Sequence, residues 1–372
     1  MNTTPFDMAV LDTMLDGLSA ADRTLFRRFY SLRIQHGRIR IPTNMHDWVR
    51  HQFGSLETVS DQQVVRLTNK ISGEETLFSN IRHLRPSDTR DENHAGLDDI
   101  DMGIGCFANP IQNTPEDPFG RVAGKFCVTA SNIAKCNDLH GLVIFNQPHP
   151  LKFTQNEVID YLDTAWRWAK LAHKHYPSHR YFFFCWNCLW RSGASINHGH
   201  AQMTLSQWRA YSRIESLRQA ALSYQKRYHS NYFNDLFRIH QALGLAYEMD
   251  GIYTMAYLTP VKNHEILVMA HELTSAFASR LYDGLTLYRD ILGVTSFNLA
   301  LTTPPLCNTR ETWKGFPVIG WMVDRGKLEY RSSDIGSLEL FATNSVDSSP
   351  FKLAKLLNNQ MKPYHYSDGT NT

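Results

Sequence analysis

The sequence predicts an α+β fold built around a duplicated strand–strand–helix–strand unit. Three observations predict it. First, "GKFCVTAS" and "HGLVIFNQ", from Gly124 and His140, are apolar runs of strand length bounded by turn residues. Second, Thr154 and Glu157 form a capping box, in which hydroxyl and carboxylate satisfy the unpaired N–H groups at a helix start. Val158, Leu162, Ala165, Trp166, Ala169 and Ala172 then recur at helical spacing, and Pro177 ends the helix. Third, "YTMAYLTP", "HEILVMAH", a periodic helix over about 274–291 and "SFNLALTT" repeat that order in weaker form.

Residues 1–68 read as a helical N-terminal extension. Ser19 is placed to cap a helix carrying Leu25, Phe26, Phe29 and Tyr30, and Ser60 and Asp61 precede a short helical pattern through Val64, Val65 and Leu67. A Ser-Gly turn and a short strand from Glu75 to Ser79 follow, with Arg82 and Arg85 before Pro86. Residues 87–120 are polar and rich in Asp, Asn, Gly and Pro, which reads as a long surface loop. "YFFFCWNCLW" is a buried-strand candidate, "RSGASINHG" a turn and "HAQMTL" a further strand. Residues 207–243 are helical, and a last helix spans 349–358. The division is thus 1–68, 69–206 and 207–372, the last two being the repeated halves.

With 372 residues, 42% of them apolar and 12% aromatic, the chain can bury a large core, and disorder is excluded as its general state. The net charge is +2 without like-charge blocks, against a nucleic-acid partner. No apolar run approaches the roughly 18 residues of a membrane span, and the acidic start "MNTTPFDMAVLDTMLDG" is unlike a signal peptide, so a cytoplasmic protein with no membrane partner is expected. Six scattered cysteines do not make a disulfide scaffold.

The chemistry concentrates in Ser195-Ile-Asn-His198-Gly-His200-Ala-Gln202, after a turn at Gly193. In a strand, residues 198, 200 and 202 share one face because side chains alternate. Neutral imidazole is a competent nucleophile toward phosphorus near neutral pH. A neighbouring amide stabilises a phosphoryl oxygen without adding charge. Cys185 and Cys188 face opposite sides of their strand and read as core packing.

"SGASINHGHAQ" resembles the His-Pro-His-x-Gln signature of the galactose-1-phosphate uridylyltransferases and their relatives in the histidine-triad superfamily. Asn187 matches the asparagine of the family's "Glu-Asn-x-Gly" strand. "SGEETLFSNIRHLRP" resembles its "Thr-Gly-Glu … Arg-x-x-Arg-Pro" element, and "VIFNQPHP" the strand ending in a metal-binding histidine. The resemblance covers about residues 69–205 well and the second half mainly in element order. It implies two histidine-triad-like halves forming one extended antiparallel sheet, and a homodimer with composite active sites. It further implies that His200 is the nucleophile, that Gln202 hydrogen-bonds the phosphoryl group, and that Ser195 contacts the distal phosphate. Arg82, Arg85, Asn187, Gly193, Asn109 and, with spacing off by one, Glu339 are implied in nucleotide, phosphate or sugar binding.

The departures from the family concern metal and base. Where the family carries Cys-x-x-Cys, "GIGCFAN" retains only Cys106, with Gly103 at the first position. With His149 and His198 this leaves three ligands for a structural zinc, a fourth coming from Asp101 or water. "VIGWMV" lacks the His-x-His of a second metal site, so that site is expected to be absent. Trp186 replaces a carboxylate; an aromatic there either stacks on a base or belongs to the core.

The expected activity is transfer of a nucleoside monophosphate from an NMP–X donor to a phosphate-bearing acceptor, inorganic phosphate favoured, through a covalent nucleotidyl-histidine. No organic cofactor is called for. The alternatives are a UDP-glucose–hexose-1-phosphate uridylyltransferase, an adenylylsulfate:phosphate adenylyltransferase (ADP sulfurylase), a dinucleoside-polyphosphate phosphorylase, a nucleotide hydrolase and a non-catalytic nucleotide-binding module.

Overall fold

A computed structural model describes residues 7–79, 81–84, 86, 105–329 and 333–361. The central layer is a nine-stranded antiparallel sheet. From the first half come β4 (Cys127–Ser131), β5 (His140–Phe145), β6 (Tyr181–Cys188) and β7 (His200–Ser206). From the second half come β8 (Ala246–Met249), β9 (Ile252–Ala256), β10 (Ile266–Ala270), β11 (Phe297–Thr302) and β12 (Val318–Asp324). Their order is β4-β5-β7-β6-β11-β12-β10-β9-β8, so the two halves meet where β6 pairs with β11.

One face of this sheet carries the long helices. The helix Gln155–His175 begins at the predicted capping box: Thr154 Oγ1 accepts from Glu157 N–H, and the Glu157 carboxylate accepts from Thr154 N–H. It lies over β4, β5 and β7 and buries Trp168, Ala165, Ala169 and Ala172. The helix Ser275–Thr286, continued by a π turn over Leu287–Ile291, covers β9, β10 and β12. The two helices pack on each other across the junction. Helices Ser212–Tyr228 and Tyr232–Ala242 occupy the predicted 207–243 segment, and Pro350–Met361 closes the described chain.

The N-terminal segment corrects the helical reading. Ser19 does cap a helix, Ala20–Phe29, through a bond from Asp22 N–H. At Tyr30 the backbone becomes extended and starts β1 (Tyr30–Arg38), which pairs with β2 (Asp61–Asn69). The pattern through Val64, Val65 and Leu67 is therefore strand. Val65, Leu67 and Asn69 are buried alternately, with period two, and β-branched residues favour that pleated surface. The strand β3 (Glu75–Ser79) adds to β2, and β13 (Asn344–Val346) runs parallel beside β3. This four-stranded sheet draws on residues both sides of position 68 and on the C-terminal segment. Among the described residues no helix is long and apolar enough to cross a membrane.

Buried polar side chains dock the small sheet onto the second half. Tyr257 O–H donates to Glu74, Thr76 O–H to the carbonyl of Pro260, and Asn69 Nδ2 to Tyr232 Oη. Glu265, 4% exposed, accepts among the described residues only from Val261 N–H, and burial pushes its carboxyl up to about 8, with Glu74 adding to the rise. The folded state thus holds a proton that the unfolded state releases above its ordinary carboxylate pKa. Stability from this group is full at low pH and is lost as pH rises toward 8. Gln keeps an acceptor for Val261 and does not titrate. Glu265→Gln should raise the urea midpoint at pH 8 and leave it nearly unchanged at about pH 4; equal shifts at both pH values would refute the assignment.

Candidate functional site

The site is set by strand register. In β6 and β7, Cys185 is opposite Gln202. In β6 and β11, Asn187 is opposite Asn298 and Cys185 opposite Ala300. Directly opposed residues project to the same face, about 5 Å apart. Alternation then places His200 and Gln202 of β7, Asn187 of β6 and Asn298 of β11 on the face away from the long helices. Trp186 and Cys188 take the helix face. Trp186 is 2% exposed and packs edge-on against Phe145, Phe153, Tyr161 and Phe297. Of the two readings of Trp186, core is therefore the correct one, and base stacking is excluded by the pleat.

His200 is buried, and its Nδ1 lies 2.8 Å from the carbonyl oxygen of His198. A carbonyl only accepts, so Nδ1 carries the hydrogen and neutral His200 exposes a lone pair on Nε2. Burial lowers its pKa from the ordinary imidazole value, the Nδ1 bond opposing in part, so the neutral form prevails at pH 7. Phe107 meets both His200 and His198 edge-on, at 5.2 and 5.9 Å between ring centres.

Gln202 is oriented by a residue that the sequence does not flag. His140, at the start of β5, receives the backbone N–H of Cys136 on Nδ1 at 3.1 Å. Its hydrogen is therefore on Nε2, 2.9 Å from Gln202 Oε1. Asn132 Nδ2 lies 3.1 Å from the same nitrogen, but as a donor it cannot take that proton. Gln202 thus accepts through its oxygen and turns its NH2 group elsewhere. Burial, and Lys135 nearby, lower the His140 pKa against a weaker pull from Asp117 and the bond to Gln202, which keeps the ring neutral.

The turn that leads into the His200 strand is tight. Leu189 is buried at φ +66°, a conformation costing a non-glycine residue on the order of 1–3 kcal/mol. Its carbonyl receives the N–H groups of Ser192 and Ala194 and the hydroxyl of Ser192. Gly193 follows at φ +95°, in the left-handed region glycine favours. Gly199 has a steric role: a Cβ there would stand 2.8 Å from the Phe145 ring and 3.0 Å from the Gln147 carbonyl. Only glycine lets the His198–His200 backbone lie this close to β5, where Phe145 N–H donates to Gly199 O.

The other predicted residues are placed unequally. Ser195 and Gly193 are exposed on the turn. Arg82 is exposed in a short 3-10 turn, while Arg85 lies outside the described residues, as do Asp101 and Gly103. Asn109 is exposed and donates to Gln112. Glu339 caps a short helix by accepting from Gly336 N–H, and its charge acts on Lys262. His198 Nε2–H donates to the Phe145 carbonyl, leaving Nδ1 buried without a partner among the described residues. His149 Nδ1 accepts from Leu151 N–H. The backbone of Cys106 opens a 3-10 turn, but its side chain is outside the description. Among the described residues no three His, Cys, Asp or Glu side chains gather as a metal site. Sequence reasoning missed His140 and Asn298, because only strand pairing brings them to Gln202 and Asn187.

The fold defines a class. An ADP-glucose phosphorylase from Arabidopsis thaliana, solved with bound ADP-glucose, matches with a TM-score of 0.59 and 16% identity, over 77% of this chain and 95% of that one. A GalT-like protein from the same plant gives 0.55 and 16% over 68% and 91%. A uridylyltransferase gives 0.53 and 16% over 80% and 98%. No protein-family model and no curated protein matches the chain. The chain therefore has the fold of the uridylyltransferase-like proteins.

The tautomer of His200 is directly observable. Long-range 15N–1H correlation at pH 8 should show Nδ1 protonated and Nε2 bare; an Nε2-protonated ring would overturn the geometry described.

Proposed function

We propose that this protein is a nucleotidyltransferase of the uridylyltransferase-like type, moving a nucleoside monophosphate from an NMP–X donor to a phosphate-bearing acceptor, inorganic phosphate favoured. The observation that carries the reading is the pairing of a bare His200 Nε2 with a Gln202 amide whose oxygen is already engaged. His200 Nε2 attacks the α-phosphorus in line, the P–N bond forms, and the bond from phosphorus to X breaks. Gln202 NH2 donates to a non-bridging oxygen as charge builds there. The positive charge arising on the ring is stabilised through Nδ1–H by the His198 carbonyl. The acceptor phosphate then attacks the same phosphorus, the P–N bond breaks, and neutral His200 is restored. The fold shared with an ADP-glucose phosphorylase and a uridylyltransferase supports this chemistry.

Around this centre, Ser195 contacts the distal phosphate and Asn187 holds the nucleotide end. Gly193 lets the turn approach the ligand. Arg82, Arg85 and Asn109 bind phosphates, one arginine reaching into a partner subunit's site in a cytoplasmic homodimer. Glu339 faces the leaving group. The strand order β4-β5-β7-β6 against β11-β12-β10-β9 supports two duplicated histidine-triad-like halves.

The protein is to be incubated with UDP-glucose, ADP-glucose, adenylylsulfate or diadenosine tetraphosphate without acceptor, and its intact mass read at alkaline pH. A nucleotidyl adduct that is absent from His200→Ala and discharged by phosphate is expected. Turnover with no adduct on the wild type, or an adduct retained in His200→Ala, would refute the covalent route.

A structural zinc on Cys106, His149 and His198 belongs to the same proposal. The buried Nδ1 of His198, unpartnered among the described residues and with Nε2–H held by a carbonyl, supports this reading, because a metal-ligating imidazole is held in the same way. The ion would pin the turn ahead of His200. Elemental analysis of the purified protein should find stoichiometric zinc that is lost in Cys106→Ser; a zinc-free, folded wild type would rule it out.

A further inference from the structure

The second half of the chain reaches into the site through Asn298. On β11, Asn298 Oδ1 accepts from Arg325 at 2.7 Å. The same guanidinium is clamped by Asp334 through two bonds of 2.8 and 2.7 Å. A guanidinium only donates, so the orientation of the Asn298 amide follows from chemistry. Its Nδ2 hydrogens go to the Ser192 carbonyl at 2.9 Å and to Asn187 Oδ1 at 2.7 Å. Asn187 therefore accepts through its oxygen, and its NH2 group, which has no partner among the described residues, faces the side of the sheet that holds His200.

We infer that Asn298, oriented by the Arg325–Asp334 pair, is a positioning residue that makes Asn187 a hydrogen-bond donor to the bound donor nucleotide. The specificity of the first half is thus set by an amide supplied from the second. The ligand group it fits is an acceptor oxygen: a phosphate oxygen, a carbonyl or a sugar hydroxyl. The inference rests on the nucleotidyl-transfer reading for its consequence and on the hydrogen bonds alone for its geometry.

Two measurements separate these. In protein labelled with 15N-asparagine, the side-chain hydrogens of Asn298 should exchange with water more slowly than those of Asn187. In Asn298→Asp, the carboxylate keeps Arg325 but can only accept, so Asn187 turns over and one of its hydrogens becomes protected. Equal exchange in the wild type, or no change at Asn187 in the variant, overturns the inference whatever the substrate. For the consequence, single-turnover labelling with ADP-glucose is compared. Asn298→Asp should raise the half-saturating concentration on the order of ten- to hundredfold, with the rate at saturation within about threefold. Added to Asn187→Ala, it should have no further effect. Additive losses, or a fall in the saturated rate alone, would show that Asn298 acts on the Ser192 turn instead and overturn the inference. If ADP-glucose fails to label the wild type, the choice of donor falls while the exchange data still decide the geometry.

Discussion

The pairing of β6 on both edges is the constraint on which the rest of the structure depends. One edge of β6 meets β7 with Cys185 opposite Gln202, and the other meets β11 with Asn187 opposite Asn298. A slip of one residue on either edge would send a polar site residue into the helix-covered core and an apolar one outward. The aromatic packing around Trp186 resists such a slip, because that ring is wedged among Phe145, Phe153, Tyr161 and Phe297. The core on one face of β6 therefore maintains the arrangement of polar side chains on the other.

Polarity in the site is fixed by groups whose hydrogen-bonding role cannot change. A carbonyl decides the tautomer of His200, a backbone N–H that of His140, and a guanidinium the orientation of Asn298. Each then passes its direction to a group that could otherwise point either way. The amides of Gln202 and Asn187 are both left with their NH2 ends available, and His200 with its Nε2 lone pair. Such preorganisation suits stabilisation of charge developing on phosphoryl oxygens, because the dipoles need not reorient during the reaction. The strained Leu189 belongs to the same design, since its carbonyl gathers the turn that carries Ser192 and leads to His200.

The small sheet has a different relation to the site. β1, β2, β3 and β13 attach to the second half through buried Tyr257–Glu74 and Thr76–Pro260 contacts. Glu265 is buried near enough to Glu74 to feel its charge, a cost that the large surrounding core offsets. This sheet also carries the chain toward the turn that presents Arg82.

Local order was legible in the residues themselves. The capping box of Thr154, the cap at Ser19, the strand at Glu75–Ser79 and the alternation of His200 and Gln202 each rest on interactions within a few residues, so spacing alone determined them, whereas His198 lies just ahead of the strand that was expected to include it. The stretch Asp61–Asn69 was not legible, because short β-branched runs suit helix and strand alike until a partner strand arrives. Trp186 had two readings until the register chose its face. His140 and Asn298 carry no local signal: they stand 62 and 111 residues from Gln202 and Asn187, and only the folded sheet brings donor to acceptor. The sequence by itself determined the local elements and the alternation of His200 and Gln202 along one strand. The tertiary structure alone decided which way each amide and imidazole points, because that direction belongs to partners distant along the chain.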